Sequence, residues 1–362
     1  MRFFWMMIAL LLLPLTVSCS GQLFAGEAGT ATPQPTLTSV PTMTPTPTPT
    51  PAYAAIPKIY FGAFAAGADV EKALGHQFNA QLYYHPWGAP FGAQTFTTNA
   101  KNGQITMPTW EFFPSFDVGD PNILHPLGAI LEGEHDKYIH AFARAAAEFK
   151  RPLLLRWGHE MNGDWYAWSG KRNGGGVADA YGDPQKADGP ERFVDTYRYL
   201  RKLFDEEKAT NVLWVWCPNV AMTGPLGEPW NAIANYYPGD EYVDWLCMDG
   251  YNWGTSQSWS TWQTFDSIYQ TTYNQLQALN ASKPMMIGEF ASSEKGGDKA
   301  AWIADMFERI PGAYPQIRMV FWFNLNKETD WRMNSSEASL KAVQQGLSDP
   351  IWNAEPWPGL LP

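Results

Sequence analysis

A (β/α)8 barrel is the fold this sequence predicts, and three observations point to it. Eight short apolar runs have strand character, amphipathic helical stretches fall between most of them, and over about 300 residues no second linker or internal repeat interrupts the alternation. The strand-like runs are 58–64, 80–84, 104–107, 152–157, 211–217, 245–249, 284–287 and 318–323. Each is short and apolar, several are rich in Val, Ile or aromatic residues, and a barrel strand buried on both faces reads this way. Helical periodicity predicts helices over 70–76, 134–149, 191–207, 264–279 and 298–309. The stretch after the second strand shows little such pattern. The chain has 362 residues, 45% of them apolar, so a single large core can be filled.

The first fifty-odd residues stand outside that alternation. Residues 3–18 run apolar after Arg2 and lead into Cys19, the layout of a bacterial secretion signal. At about 15 residues the run is short for a bilayer-spanning helix, which needs about 20. T-V-S-C resembles a lipobox, with Thr16 where that motif usually carries Leu, so Cys19 is a candidate for lipidation and residues 1–19 are expected to be a signal peptide. Residues 30–51 hold nine Thr, seven Pro and no charge. Such a composition buries too little apolar surface to fold and favours extended polyproline II. Residues 20–53 are therefore expected to be a linker, whose Thr/Pro stretch spans roughly 70 Å at about 3.1 Å per residue, and 54–362 one folded domain.

Charge and cysteine content narrow the partners. Only Arg2 and Glu27 are charged before residue 54, so the whole net charge of −11 falls on residues 54–362. Nucleic acid is disfavoured as a partner and a neutral ligand favoured. Membrane contact is expected only through the lipid anchor, and the chain is expected to work as a monomer outside the cytoplasm. Beyond Cys19 only Cys217 and Cys247 remain, too few for a disulfide scaffold. They fall in strands that are candidate neighbours. A bridge is geometrically conceivable, and two buried free thiols are the expectation.

Chemistry concentrates where two strands end. R-W-G-H-E-M-N-G-D-W, residues 156–165, follows the apolar run 152–155, so His159, Glu160 and Asn162 emerge at the C-terminal end of the fourth strand. Barrels of this class place their reactive groups at that end. The seventh strand repeats the design, M-M-I-G-E-F-A-S-S bringing Glu289 out of an apolar run behind Gly288. Glutamates on strands four and seven face each other across the mouth, the minimum equipment for glycoside hydrolysis.

These segments, with V-D-W-L-C-M-D-G-Y-N-W and V-F-W-F-N, resemble in order and spacing those of glycoside hydrolase family 26, over residues 56–350. The resemblance implies a (β/α)8 barrel and a retaining double displacement, with Glu160 as general acid/base and Glu289 as nucleophile. It also implies that His159, Trp165, Tyr251 and Trp322 line the active centre, and an endo-acting enzyme on plant-type polysaccharide with β-1,4-mannan foremost. Some members cleave mixed-linkage β-1,3-1,4-glucan or β-1,3-xylan instead. Cys217 and Cys247 are not part of the pattern. From another class altogether, a non-hydrolytic sugar-binding barrel has no need of a paired acid and nucleophile.

The residues make chemical sense apart from the family. One carboxyl must be protonated near neutrality to donate to the leaving oxygen, and the other ionised to attack carbon. Glu160, beside His159, Met161 and aromatic residues, sits where its pKa is expected to rise, and Tyr251 is placed to donate to Glu289. His159 reads either as a substrate or nucleophile contact or as a core histidine. Flat indole and phenol faces suit pyranose rings, which favours Trp165, Tyr251 and Trp322 as sugar contacts over packing alone. His85, in Y-Y-H-P-W-G, and Arg156 divide between site and scaffold; Asp249 is read as orienting its neighbours, and Glu111 as mainly structural. The loop S-G-K-R-N-G-G-G-V after the acid/base strand reads equally as a substrate subsite or a solvated insertion. The six histidines show no metal-ligand spacing, and neither a P-loop nor G-x-S-x-G occurs, so no metal and no cofactor are expected.

Overall fold

The computed structural model describes residues 52–112, 126–220 and 227–360. The expected signal peptide, Thr/Pro linker and Cys19 lie outside the described residues. Eight strands, Tyr60–Phe64 (β1), Ala80–Pro86 (β2), Ile105–Glu111 (β3), Leu153–Trp157 (β4), Val212–Trp216 (β5), Trp245–Asn252 (β6), Met285–Ser292 (β7) and Ile317–Phe323 (β8), each pair in parallel with the next. β8 returns to β1, and the sheet closes as a (β/α)8 barrel.

Every predicted strand is present, but β2, β3, β6 and β7 run further toward the mouth than their apolar runs. Pairing continues through His85↔Trp110, Pro86↔Glu111 and Tyr251↔Ala291. The strands outlast their hydrophobic signal because the last inward positions carry polar side chains that face the cleft.

Eight helices cover the outside among the described residues: Ala68–Leu74 (α1), Ala93–Lys101 (α2), Gly128–Leu131 (α3), Asp136–Phe149 (α4), Asp188–Glu206 (α5), Phe265–Leu279 (α6), Lys299–Ala313 (α7) and Glu337–Leu347 (α8). α4 buries Ile139, Phe142, Ala143 and Ala146 at helical spacing. α2 stands where the sequence showed little pattern, because it buries only Phe96 and Ala100. Between β5 and β6 the described residues hold two 3-10 turns, Pro229–Asn231 and Ile233–Tyr236, in place of an α-helix. Among the described residues no helix is long and apolar enough to cross a membrane.

Strand alternation sorts the core into two layers. Leu82, Met107, Leu154, Val215, Met286 and Phe321 fill the barrel interior. Leu155, Trp157, Trp214, Trp216, Phe290 and Trp322 point outward and pack in the main core. The end opposite the cleft is closed by the tail: Ile59 N donates to Ile351 O (2.8 Å), Trp357 packs on Tyr60 and Trp245, and Leu360 is buried in the interior layer.

The same alternation corrects the expectation of two free thiols. Cys217, just past β5, and Cys247 on β6 both point inward, with Cα atoms 4.3 Å apart, and are joined as a disulfide. The strands' adjacency was foreseen; what decides the bridge is that both side chains take the inward parity at one level of the barrel.

Candidate active site

Beyond β4 the chain turns sharply, with φ of 64° at Gly158 and 53° at Glu160. A left-handed glutamate costs of order 1–3 kcal/mol and persists only where its surroundings impose it. They do so here: Glu160 N donates to Cys217 O (2.7 Å), and Glu160 O accepts from Gly163 N (2.9 Å). The strained turn aims the Glu160 carboxyl into the mouth. Asn219 Nδ2 donates to its Oε1 (2.6 Å) and Trp165 Nε1 to its Oε2 (2.7 Å), both from neutral groups. Burial, and next the charge of Glu289, push the Glu160 carboxyl up to about 7, against the pull of those two hydrogen bonds.

Glu289 lives in opposite surroundings. Arg156 Nη2 donates to Oε1 (2.5 Å), the Tyr84 hydroxyl donates to the same oxygen, and Tyr251 Oη donates to Oε2 (2.6 Å). Charge-assisted bonds of this kind are the strong ones, and no acceptor competes for the carboxylate in this set. Arg156, fully buried, also donates from Nη1 to Asp249 Oδ2 (2.7 Å) and from Nε to Thr109 Oγ1 (2.9 Å). Burial raises the Asp249 carboxyl while the charge of Arg156 opposes that rise, and Arg156 itself is held firmly charged by Asp249 and Glu289. The 2.7 Å contact favours the ionised pair. Gly288 is needed beneath this cluster, since a Cβ there would stand 2.6 Å from Cys247 Sγ, 2.7 Å from Asp249 Oδ1 and 2.8 Å from Arg156 Nη1.

His159 is buried, with Nε2 3.1 Å from Tyr166 Oη and 3.9 Å from Glu289 Oε1. Burial, and then the charge of Arg156, hold its pKa well below the usual histidine range, so it is a neutral imidazole wedged beside Glu289 Oε1.

Glu160, Glu289, Trp165 and Tyr251 line one cleft of about 1180 Å³, together with Tyr84, Glu111, Asn219, Trp253, Trp259 and Trp331. Arg156, His159 and Asp249 lie under its floor. Asn162 is also buried and braces the Glu160 partner: its Nδ2 donates to Asn219 O (2.8 Å) and its Oδ1 accepts from Asn219 N (2.9 Å).

Two expected contacts are corrected. Trp322 is fully buried on the outer face of β8, packed on Phe290 with Nε1 donating to Trp331 O (2.8 Å), so the inward neighbour Phe323 reaches the cleft instead. His85 likewise faces outward, against Phe96 and Phe142, while Tyr84 takes the inward position. In both, strand parity overrides the attraction of an aromatic or a histidine near a strand end. Glu111, read as structural, is the last residue of β3, shares the inward parity of Met107 and lines the cleft. Burial, and then Glu289, raise its carboxyl to about 7. The loop beginning at Ser169 takes the solvated alternative: Asn173 ties it down through Ala167 O and Ser169 O, and the lining contributed after β4 is Asp164, Trp165 and Tyr166 instead.

Tyr84, Asn219 and Tyr166 were missed. Asn219 carried the same signal as Glu160, a polar residue at the end of the apolar run V-L-W-V-W, and parity along β2 would have selected Tyr84.

A family model described as glycosyl hydrolase family 26 matches residues 128–319. Endoglucanase H of Acetivibrio thermocellus is 36% identical over 277 residues, 75% of this chain and 27% of that protein. A mannan endo-1,4-beta-mannosidase of Thermothelomyces thermophilus is 25% identical over 252 residues, 67% of this chain and 40% of that protein. The chain thus spans less than half the length of either relative. Among solved structures, a GH26 beta-mannanase from Bacteroides ovatus superposes with a TM-score of 0.56 at 16% identity, covering 82% of this chain and 90% of that one.

Proposed function

Because the chain belongs to glycosyl hydrolase family 26, we propose that it is a retaining, endo-acting β-glycanase with Glu289 as nucleophile and Glu160 as general acid/base. The observation that carries this is the contrast between two carboxyls in one cleft. Glu160, raised to about 7 and bonded to neutral donors, is suited to hold a proton near neutrality. Glu289, ringed by Arg156, Tyr84 and Tyr251, is suited to act as a carboxylate. In the first step Glu289 attacks the anomeric carbon, the glycosidic C–O bond breaks, and Glu160 gives its proton to the departing oxygen. In the second, Glu160 takes a proton from water, whose oxygen displaces Glu289 and restores both carboxyls. The neutral His159 helps fix the position of Glu289 without adding charge. The cleft extends past the carboxyl pair, which suits attack within a chain.

β-1,4-Mannan is the first substrate reading. A second reading, a β-glucan, with the mixed-linkage polymer as its example, is favoured by the higher identity to the protein named Endoglucanase H, 36% against 25% for the mannosidase; β-1,3-xylan stands behind both. The test is reducing-sugar release by the full chain from mannan, mixed-linkage glucan and xylan, with proton NMR of the first product. Release of the β-anomer is expected. Release from none, with retention on a polysaccharide gel, means a non-hydrolytic binder; an α-anomer as first product removes Glu289 from its role.

We propose further that Cys19 is lipidated and that the Thr/Pro stretch holds the barrel off a bacterial cell surface, as a monomer. The support is the apolar run ending at Cys19 and the charge-free stretch that follows. Cys19→Ala is expected to abolish lipid labelling and release the protein from the membrane fraction. An unmodified protein already wholly soluble outside the cell would contradict the anchor.

A further inference from the structure

Three large apolar side chains stand exposed among the described residues, Trp165, Val177 and Trp259, and two of them line the cleft. Trp165 is accounted for by its bond to Glu160. Trp259, the most exposed at 66%, has no catalytic partner. An indole left open to water beside a binding cleft marks an interaction site, because burying it on a ligand recovers a large apolar area.

Its placement is built. Trp259 packs on Trp253 with ring centroids 5.1 Å apart; Trp253 meets Trp331 edge-on at 4.8 Å; and Trp331 lies 5.0 Å from Tyr251, the donor to Glu289. An unbroken aromatic wall thus runs from the nucleophile to the rim. The short loop after β6 that carries Trp259 is internally tied. Ser260 Oγ donates to Gly254 O (2.8 Å), and Thr255 N donates to Lys295 O (3.0 Å). Gly254 has φ of +53°, and a Cβ there would fall 1.9 Å from Lys295 O, so the loop closes down on its neighbour only with glycine at this position.

We propose that Trp259 is the stacking platform of a distal subsite, binding a neutral pyranose ring of the β-glycan beyond the sugar attacked by Glu289. This rests on the reading of the cleft as a glycanase site and adds to it where chain length is sensed. The ligand is uncharged. Carboxylates of Asp164 and Glu328 line the same cleft against the single cation Lys327 of its lining, and an acidic glycan would be repelled there. The aromatic wall recognises a ring face and is indifferent to which hydroxyls are axial, so Trp259 favours longer chains without choosing between mannan and glucan.

Two measurements on the full chain test this. With soluble galactomannan and mixed-linkage β-glucan, Trp259→Ala is expected to lower kcat/KM by about tenfold through KM, the size of one lost stacking contact. The loss should shrink as the substrate shortens to an activated aryl glycoside, and Trp259→Phe should restore most of it. In a Glu289→Gln background, which removes turnover, Trp259→Ala should weaken retardation in a gel containing the same polysaccharide. Equal losses on polysaccharide and aryl glycoside, or unchanged KM and unchanged retardation, overturn the platform. The gel reads the platform separately from the chemistry: retardation that depends on Trp259, when the unsubstituted chain cleaves neither polysaccharide nor aryl glycoside, upholds the subsite and sinks the proposed hydrolysis.

Discussion

Removing the amide that holds Glu160 should move the alkaline limit of activity upward. Asn219 Nδ2 donates to Glu160 Oε1 at 2.6 Å and stabilises the ionised carboxylate against burial. In Asn219→Ala that donor is gone, the ionised form is disfavoured, and the Glu160 pKa must rise from about 7. A hydrogen bond to a charged group contributes about 1.5–3 kcal/mol, and 1.36 kcal/mol corresponds to one pH unit, so complete loss means about one to two units. Water entering the vacated space restores part of the bond, which sets the expected shift near one unit. As the proposed general acid, Glu160 must be protonated in the free enzyme, so kcat/KM on soluble polysaccharide should fall off above its pKa. In Asn219→Ala that fall should come about one unit higher. An aryl glycoside with a good leaving group provides the internal control, because its glycosylation needs no proton and its alkaline limb should not follow Glu160. Trp165→Phe, removing the donor to Oε2, should act in the same direction. A limb that stays fixed in Asn219→Ala, or moves to lower pH, would refute the assignment of Glu160 as the acid.

Other outcomes follow from the same contacts. Glu160→Ala should lower kcat/KM on polysaccharide by about 10²–10⁴ while keeping the glycosylation burst with an activated aryl glycoside, whereas Glu289→Ala should lose both; matching bursts in the two variants would contradict the division of roles. Arg156→Met strands Asp249 and Glu289 without their buried cation, so it should cost about 3–5 kcal/mol in urea unfolding, and a change below about 1 kcal/mol would count against the ion pairs. Replacing both Cys217 and Cys247 by Ala opens a link between residues 30 apart and should cost about 3–4 kcal/mol by chain entropy. Denaturing alkylation without reductant should label neither cysteine in the unaltered protein, and labelling of both would show free thiols.

How legible this was depended on which layer of the barrel a residue occupies. The outward layer and the strand centres are continuous apolar runs, so all eight strands and most helices could be found from composition and period. At the strand tops the inward positions turn polar, and there the pattern thins out, which is why β3 was expected to end at 107 and Glu111 was read as mainly structural. Glu160 and Glu289 were legible because a carboxylate behind an apolar run is costly without a reason. Tyr84 was not, since a tyrosine near a strand end reads equally as packing. Trp322 was misread, and His85 left open between site and scaffold, for a single cause: their chemistry suits a site, but alternation points them away from it. Trp259 lies on a loop with no periodicity at all, and only its exposure against Trp253 reveals it.

The buried charges form a balance that suits the proposed chemistry. Arg156 is shared between Asp249 and Glu289, so a single buried cation serves two carboxyl groups under the cleft floor. Were Arg156 paired with Glu289 alone, the nucleophile would be neutralised by a cation 2.5 Å away and held back from carbon. Asp249 draws part of that charge off through Nη1, and the Cys217–Cys247 bridge and Gly288 fill the space beneath so that neither partner can shift. Glu160 and Glu111, raised to about 7, shed their negative charge as the pH falls below neutrality. In the proposed reaction Glu289 lies beneath the place where positive charge would build on the sugar in an oxocarbenium-like transition state. A fixed anion aimed at a developing cation lowers the barrier without having to reorganise as the bond breaks. Asp249→Asn tests this balance. It leaves Arg156 to Glu289 alone, so glycosylation by an activated aryl glycoside, which bypasses Glu160, should slow by more than tenfold, the equivalent of about 1.4 kcal/mol in the barrier. An unchanged glycosylation rate would mean that Asp249 only positions Arg156 and does not tune the nucleophile.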